Sequence, residues 1–288
     1  MELSQLIMFK KVADAGTIAS AAEQLHCVPS NITIRIKKLE EELGESLFIR
    51  EGRRRVLSSS GLIFLDYTNR ILSLCEEAKR SISLKSEPAG KLSLGAIESS
   101  ATSRLPKLLA RYYQTYPEVQ IEFSTDTWKN LEDKVVKHQL DAAVIAVKSL
   151  HPAVSCVEVY KEELVIATSS FVDIDSAESL IGQNIYMWPD GCPYRKALEN
   201  WLLEKEVVVP IHSIASYGTI LGCVNSGAGV SLVPKGIFEQ FNRQGKIKGF
   251  TFSELKPIRN YFIWNKKSGT HRAREAFLQL IHEKQVLD

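Results

Sequence analysis

Two stretches of the chain carry side chains whose types and spacing could do chemistry. The first is "CVPSNITIRIKKLEEELGESLFIREGRRR", residues 27–55. Within it Ile32, Ile36, Leu39 and Leu43 recur at intervals of four, three and four, which predicts one buried stripe on a helix. Ser30, Asn31, Thr33, Arg35, Lys37 and Lys38 fall off that stripe. Asparagine can pair with adenine, and arginine with guanine or phosphate, so this face suits the major groove of DNA. A plain solvated helix face is the other reading. In "REGRRR", Arg50, Arg53, Arg54 and Arg55 put four cations into six residues, and guanidinium forks suit phosphates. Glu40, Glu41, Glu42 and Glu45 are expected to face away from a duplex. The second stretch is "IESSATSRLP", residues 97–106, where Ser99, Ser100, Thr102 and Ser103 stand at a predicted strand-to-helix turn. Hydroxyls and free N–H groups at a helix start can hold an anion such as a carboxylate, or can simply cap the helix.

The elements that must position the first stretch surround it. Leu3, Leu6, Ile7, Phe9, Val12 and Ala13 predict a helix over 2–14, which Gly16 ends. Thr17 can cap a short second helix in "TIASAAEQLHC", where Ala19, Ala21 and Ala22 allow close helix approach. Pro29 suits the first turn of a third helix, and Gly44 stops it. Three short helices with a tight turn between the second and third read as a helix-turn-helix, and "SLFIREGRRRVLSSSG" reads as a strand, a basic turn and a strand, a wing. A long helix follows from about Ser60 to Ser86, with Phe64, Ile71 and Ala78 seven apart and Tyr67 and Leu74 between them. Such a helix invites pairing with a second copy. "KSEPAG" at 85–90 is the clearest linker.

Beyond Gly90, short apolar strands alternate with helices in βαβ order, which predicts a parallel sheet and two α/β lobes of about 100 residues. No repeat of 20–50 residues is visible. The 288 residues carry 36 Lys and Arg against 34 Asp and Glu, so any nucleic-acid affinity must come from local clusters and not from bulk charge. No apolar run approaches membrane-spanning length and the start does not resemble a secretory signal, so no membrane partner and a cytoplasmic location are expected. Five scattered cysteines with no CxxC imply neither a disulfide framework nor a metal site. Asp141, Asp190 and His212 stand isolated, and no nucleophile elbow, phosphate loop or HExxH motif is present, so no catalytic residues, no cofactor and no enzymatic activity are expected. A solute-binding or enzymatic module stays conceivable for residues 90–288 on fold grounds alone.

In order, the chain shows "AGTIASAAEQLH" with its alanine pair, then "LEEELGESLFIRE", and then "LSSSG" ending at Gly61. In this it resembles the LysR-type transcriptional regulators, and the resemblance covers essentially its whole length. It departs from many members in placing Thr33 and Ile34 where they carry Ser-Arg, with Arg35 one position later, so base preferences do not carry over. The resemblance implies an α+β multi-domain protein: a winged helix-turn-helix over 1–60, a linker and dimerisation helix over 61–89, and an effector-binding domain over 90–288. That domain resembles periplasmic binding proteins, with one lobe at about 90–162 and 266–288 and the other at about 163–265. The implied DNA-facing residues are Thr17 and those named above, with Ile34 added. The implied partners are promoter DNA, further copies of the chain as a dimer or tetramer, a small-molecule effector, with a carboxylate-bearing metabolite as the leading candidate, and RNA polymerase.

The resemblance also points Ser99, Ser100, Thr102, Thr125, Thr127, Trp128, Ala146, Val147, Cys192, Tyr194, Arg195, Tyr217 and Gly218 toward the effector cleft. Arg195 could clamp an acidic effector there. Cys192 sits where peroxide-sensing relatives carry a reactive cysteine, and Arg195 could lower its pKa. Those relatives place a partner cysteine about nine residues later, where this chain has none, so a passive pocket cysteine is expected and a redox-responsive regulator is the alternative. In the family, effector binding biases the angle between the lobes and so the spacing of the DNA-reading heads.

Overall fold

The computed structural model of the chain describes residues 1–51, 54–81, 87–243 and 245–283. Arg53 therefore lies outside the described residues, as do 82–86, over which the predicted long helix would have run on. The chain divides into two compact units, one built mainly from Met1–Leu84 and one from most of the residues beyond.

The first unit holds α1 (Leu3–Ala15), α2 (Ile18–Gln24), α3 (Pro29–Leu43), β1 (Phe48–Glu51), β2 (Arg54–Leu57) and α4 (Ser59–Ser81). Glu2 and Gln5 form a capping box at the start of α1. Gly16 and Gly44 end α1 and α3 in the left-handed region that glycine tolerates best. The turn between α2 and α3 passes through His26, also at positive φ. Three residues of the predicted stripe form the core: Ile32, Ile36 and Leu39 pack with Phe9, Val12, Ala21 and Ala22, and with Leu47 and Phe48 from the wing, whereas Leu43, in the last turn of α3, is exposed. The Phe9 ring meets those of Phe48 and Phe64 at 5.3 and 5.1 Å, so Phe64, expected on the self-pairing row of the long helix, turns into this core instead.

Two recurring motifs acquire physical reasons here. Glu40 accepts the Leu47 and Phe48 N–H groups at 2.7 and 3.3 Å, which ties α3 to the start of the wing. At Gly61 an added Cβ would lie 2.1 Å from the Leu47 carbonyl oxygen, so only glycine lets α4 approach that strand.

The second unit runs β3 (Gly90–Ala96), α5 (Glu98–Ser103), α6 (Leu105–Thr115), β4 (Val119–Thr125), α7 (Trp128–Val136), β5 (Ala142–Ile145), β6 (Val154–Glu162), β7 (Leu164–Ser169) and β8 (Ile185–Met187). It continues with α8 (Pro193–Glu204), β9 (Ile211–Ser213), α9 (Tyr217–Asn225), β10 (Ser231–Pro234), α10 (Lys235–Phe241), β11 (Ile247–Phe250), β12 (Ile258–Asn265) and α11 (Arg272–His282).

One sheet has the order β4-β3-β5-β12-β6. It is mixed and not wholly parallel, contrary to the expectation from the βαβ pattern: β3 pairs parallel with β4 and β5, while β12 enters antiparallel to β5 and β6. The second group of strands repeats that arrangement. β8 pairs parallel with β9 and makes an isolated parallel bridge from Ile185 to Val230, the residue before β10, while β7 lies antiparallel between β10 and β11.

A boundary also needs correction. The sequence reading assigns residues up to 265 to the second lobe, but β12 belongs to the first sheet, so the chain returns before Ile258. The reason is burial: Phe262 packs with Leu92, Leu94 and Phe277 in the first lobe's core. Among the described residues no helix is long and apolar enough to cross a membrane, and no group of His, Cys, Asp or Glu could hold a metal ion.

Candidate nucleic-acid interface and ligand cleft

On α3 the stripe inward leaves Ser30, Thr33, Lys37 and Lys38 exposed, with Ile34 exposed at 67%. The Thr33 hydroxyl donates to the Pro29 carbonyl at 3.0 Å. Arg35 has partners that the sequence did not reveal. Its guanidinium donates to Glu2 at 3.0 Å, Ser4 at 2.8 Å and Asn31 at 3.2 Å, so Arg35 and Asn31 are tied together and to the start of α1. Lys38 lies 3.8 Å from the same Glu2 carboxylate. The Ser4 hydroxyl, then the Lys38 charge and Arg35, hold the Glu2 carboxyl below its ordinary pKa. An exposed carboxylate thus stands among the cations of this face.

Beside this face, β1 and β2 form a two-stranded ribbon with Arg50 directly opposite Arg55, and Glu51 opposite Arg54. Two guanidinium-bearing residues therefore stand side by side on one face of the ribbon. The Arg55 N–H donates to the Gly16 carbonyl at 2.8 Å, which fixes the ribbon to the corner between α1 and α2. Thr17 at that corner caps α2, accepting the Ser20 N–H at 3.2 Å.

In the second unit, loops at the carboxyl ends of β3, β4, β8 and β9 converge on a cavity of about 560 Å³, where open α/β sheets generally bind ligands. Of the predicted effector residues, Ser99, Thr125, Thr127, Trp128, Cys192, Tyr194 and Tyr217 line it. Trp128 Nε1 donates to the Gly191 carbonyl at 2.8 Å, joining α7 to the loop before α8. The Ser99 hydroxyl donates to the Tyr194 hydroxyl at 3.3 Å, and the Trp188 and Tyr217 rings lie 4.8 Å apart.

The other predicted residues do not line this cavity. Ser100 is buried and accepts a hydrogen bond from the Tyr160 hydroxyl. Thr102 lies a turn further along α5, and Ala146 is buried in the core. Val147 and Arg195 line a neighbouring depression of about 540 Å³, and Gly218 a third of about 230 Å³. Arg195 as an anion clamp is therefore corrected. Its guanidinium is taken up by Glu199 and Asp190, each at 2.8 Å, and by the Ser213 hydroxyl at 2.7 Å. A net lowering of the Cys192 pKa by Arg195, which the redox alternative would need, does not occur either. Burial pushes that thiol up, against smaller opposing effects from the Arg195 and Tyr194 amides and the Arg195 charge. Burial likewise raises the Tyr194 and Tyr217 hydroxyls.

Lining residues that the sequence reading missed include Glu98, Asp126, Lys129, Trp188 and Asp190. Their signal was topological. Trp188 and Asp190 follow β8 as Glu98 and Ser99 follow β3, which shows only once the two groups of strands are seen to match. Burial pulls the Asp126 carboxyl up, but hydrogen bonds from Lys134, Asn130 and the Thr127 N–H outweigh it and hold the pKa low. Where β6 passes into β7, Glu162 takes Arg104 through two bonds of 2.9 Å and the Gly236 N–H at 3.0 Å.

A winged helix-turn-helix unit joined to a two-sheet unit with a ligand-sized cleft defines a DNA-binding regulator equipped to sense a small molecule. Comparison with known proteins identifies the family. Residues 3–62 match the profile described as "Bacterial regulatory helix-turn-helix protein, lysR family", and residues 85–285 match "LysR substrate binding domain". The chain is 38% identical over 283 residues to the uncharacterized HTH-type transcriptional regulator YusT of Bacillus subtilis (strain 168), covering 96% of this chain and 94% of that one. Its fold is similar to that of a full-length OxyR variant from Pseudomonas aeruginosa, with a TM-score of 0.79, 21% identity and all of both chains covered. It is also similar to full-length CbnR complexed with its target DNA, with a TM-score of 0.73, 21% identity and 99% of each chain covered. The chain belongs to the LysR family and is a DNA-binding transcriptional regulator with an effector-binding domain.

Proposed function

We propose that α3 enters the major groove of promoter DNA while β1 and β2 hold the adjacent backbone. Ser30, Thr33, Ile34 and Lys37 are the side chains aimed at bases and groove walls. Ile34 offers an apolar surface to a thymine methyl, and Arg50, Arg54 and Arg55 engage phosphates. Asn31 and Arg35 join them on exchanging local partners for the duplex, and Thr17 fixes the corner that carries the ribbon. The observation that carries this reading is the basic ribbon fixed by Arg55 beside the exposed polar face of α3.

The cleft at the strand ends holds the effector, whose binding biases the DNA-bound arrangement of a homodimer or dimer of dimers. The self-pairing surface is the apolar row of α4 that includes the exposed Ile63, Tyr67 and Leu74. Regulation proceeds by binding alone, without catalysis, in the cytoplasm where the DNA is, and engages RNA polymerase at the promoter. The test is fluorescence anisotropy of the full chain on the DNA upstream of its own coding region, over a salt series. Arg54→Ala is expected to weaken specific and random DNA about equally and to lower the salt slope by roughly one. An unchanged slope in Arg54→Ala and in Arg50→Ala would sink the assignment of the ribbon.

A further inference from the structure

The charges around the cleft are unevenly spent. Four charged side chains line it: Glu98, Asp126, Lys129 and Asp190. Lys129, the one cation among these four, is largely exposed and lies 3.4 Å from each of two carboxylates on its own helix, Glu132 and Asp133. Asp126 is saturated by Lys134 at 2.7 Å and Asn130 at 2.7 Å, and Asp190 is paired with Arg195. Glu98 is different. It is half-buried and has no ion-pair partner among the described residues. A carboxylate in that position loses hydration without gaining a counter-charge from the protein. Its neighbours are aromatic. Glu98 is near enough to Tyr217 for its charge to be felt at that hydroxyl, after burial and other nearby groups, and Tyr217 packs against Trp188. Trp128 forms a further aromatic part of the lining.

A carboxylate without a counter-ion, set in aromatic walls where the available cations are already paired, is suited to a positive charge brought by the ligand. Indole and phenol faces attract ammonium groups, more so as water is excluded. We infer that the cleft binds an organic cation, a small molecule bearing an ammonium group, with Glu98 as its counter-ion and the rings of Trp188, Tyr217 and Trp128 as its walls. This inference rests on the reading of the cleft as the effector site, and it replaces an acidic ligand, for which Arg195 is not at hand.

The test uses the full chain and matched probes: choline against its uncharged carbon isostere, and benzylamine against benzyl alcohol and benzoate. Binding is followed by the tryptophan fluorescence to which Trp128 and Trp188 contribute, and in parallel by anisotropy on promoter DNA. The cationic member of at least one set is expected to bind about tenfold tighter than its neutral partner. Glu98→Gln is expected to erase that difference. The preference is read on the unaltered chain, so the inference does not depend on the variant folding. Tighter binding of benzoate, or no binding of either cation at millimolar concentration, overturns it. Cation-selective quenching that leaves promoter affinity unmoved supports the cation site and instead overturns its reading as the effector site.

Discussion

Replacing Arg104 by Met breaks the pair that fastens the first lobe to the junction between β6 and β7, together with the contact of its guanidinium over the Tyr160 ring at 5.9 Å. Glu162 is 2% exposed and Arg104 21% exposed, so the carboxylate is the partner that cannot recover solvent when the pair is broken. The two contacts of 2.9 Å vanish, and the Gly236 N–H at 3.0 Å remains as a donor to that carboxylate. Removing one partner of a buried pair typically costs about 3–5 kcal/mol, mostly as the penalty of the charge left behind. The partial exposure of Arg104 argues for the lower end, about 3 kcal/mol, which in a unit of this size corresponds to a fall in Tm of about 6–12 °C. The companion variant tests the cause. Arg104→Met with Glu162→Gln removes the stranded charge but keeps an acceptor for the Gly236 N–H, and is expected to recover most of the loss. Differential scanning calorimetry and urea unfolding of the full chain measure both. A loss under about 1 kcal/mol in the single variant, or a double variant no more stable than the single, refutes the reasoning.

Three further outcomes follow from local geometry. Gly61→Ala forces a Cβ to within 2.1 Å of the Leu47 carbonyl oxygen and should destabilise the DNA-binding unit by about 1–3 kcal/mol, read by urea unfolding; an unchanged midpoint would show that α4 shifts freely. Glu2→Gln keeps the shape of the cap but removes the carboxylate beside Arg35 and Lys38, so affinity for random DNA at low salt should rise severalfold, and a fall in affinity in anisotropy titrations would contradict this. Cys192 has a raised pKa, so less of it is thiolate at any given pH below that value than of an ordinary thiol. It should be alkylated more slowly than free cysteine near neutral pH and catch up as pH rises, with site-resolved mass spectrometry as the measure; rapid labelling at neutral pH would revive a redox role.

The first unit was largely legible because its positions are set by rules acting within a few residues. A stripe at helical spacing, a proline at a first turn, glycines past the last, and a cluster of arginines between two short apolar runs each have one good physical solution, and the structure adopts them. The motif residues proved to be fixed by contacts: Glu40 by the backbone of Leu47 and Phe48, and Gly61 by a carbonyl oxygen. Arg35 was not legible in this way. Its partners Glu2 and Ser4 lie more than 30 residues earlier, and nothing in the local pattern of α3 signals them.

The cleft was half legible for a related reason. β6 and β7 are separated by Glu163 alone and run together as one apolar and polar-alternating stretch, so β6 gave no boundary of its own. β12 comes late in the chain yet inserts between β5 and β6, a pairing that sequence order cannot suggest. Behind both lies one strand arrangement used twice. Each sheet places its second strand outside its first, runs the third parallel to the first, and inserts a strand antiparallel between the third and the last. The inserted strands, β12 and β7, are the ones that exchange places between the halves in chain order, and the two passages between the sheets adjoin them, one at Glu163 and the other ahead of Ile258. A ligand gripped at the strand ends of both sheets therefore acts on two lobes joined at these passages, and Glu162, locked to Arg104 and to the first turn of α10, stands at one of them. Under the proposed reading of the cleft as the effector site, that is where its occupancy would be converted into a change of angle between the lobes.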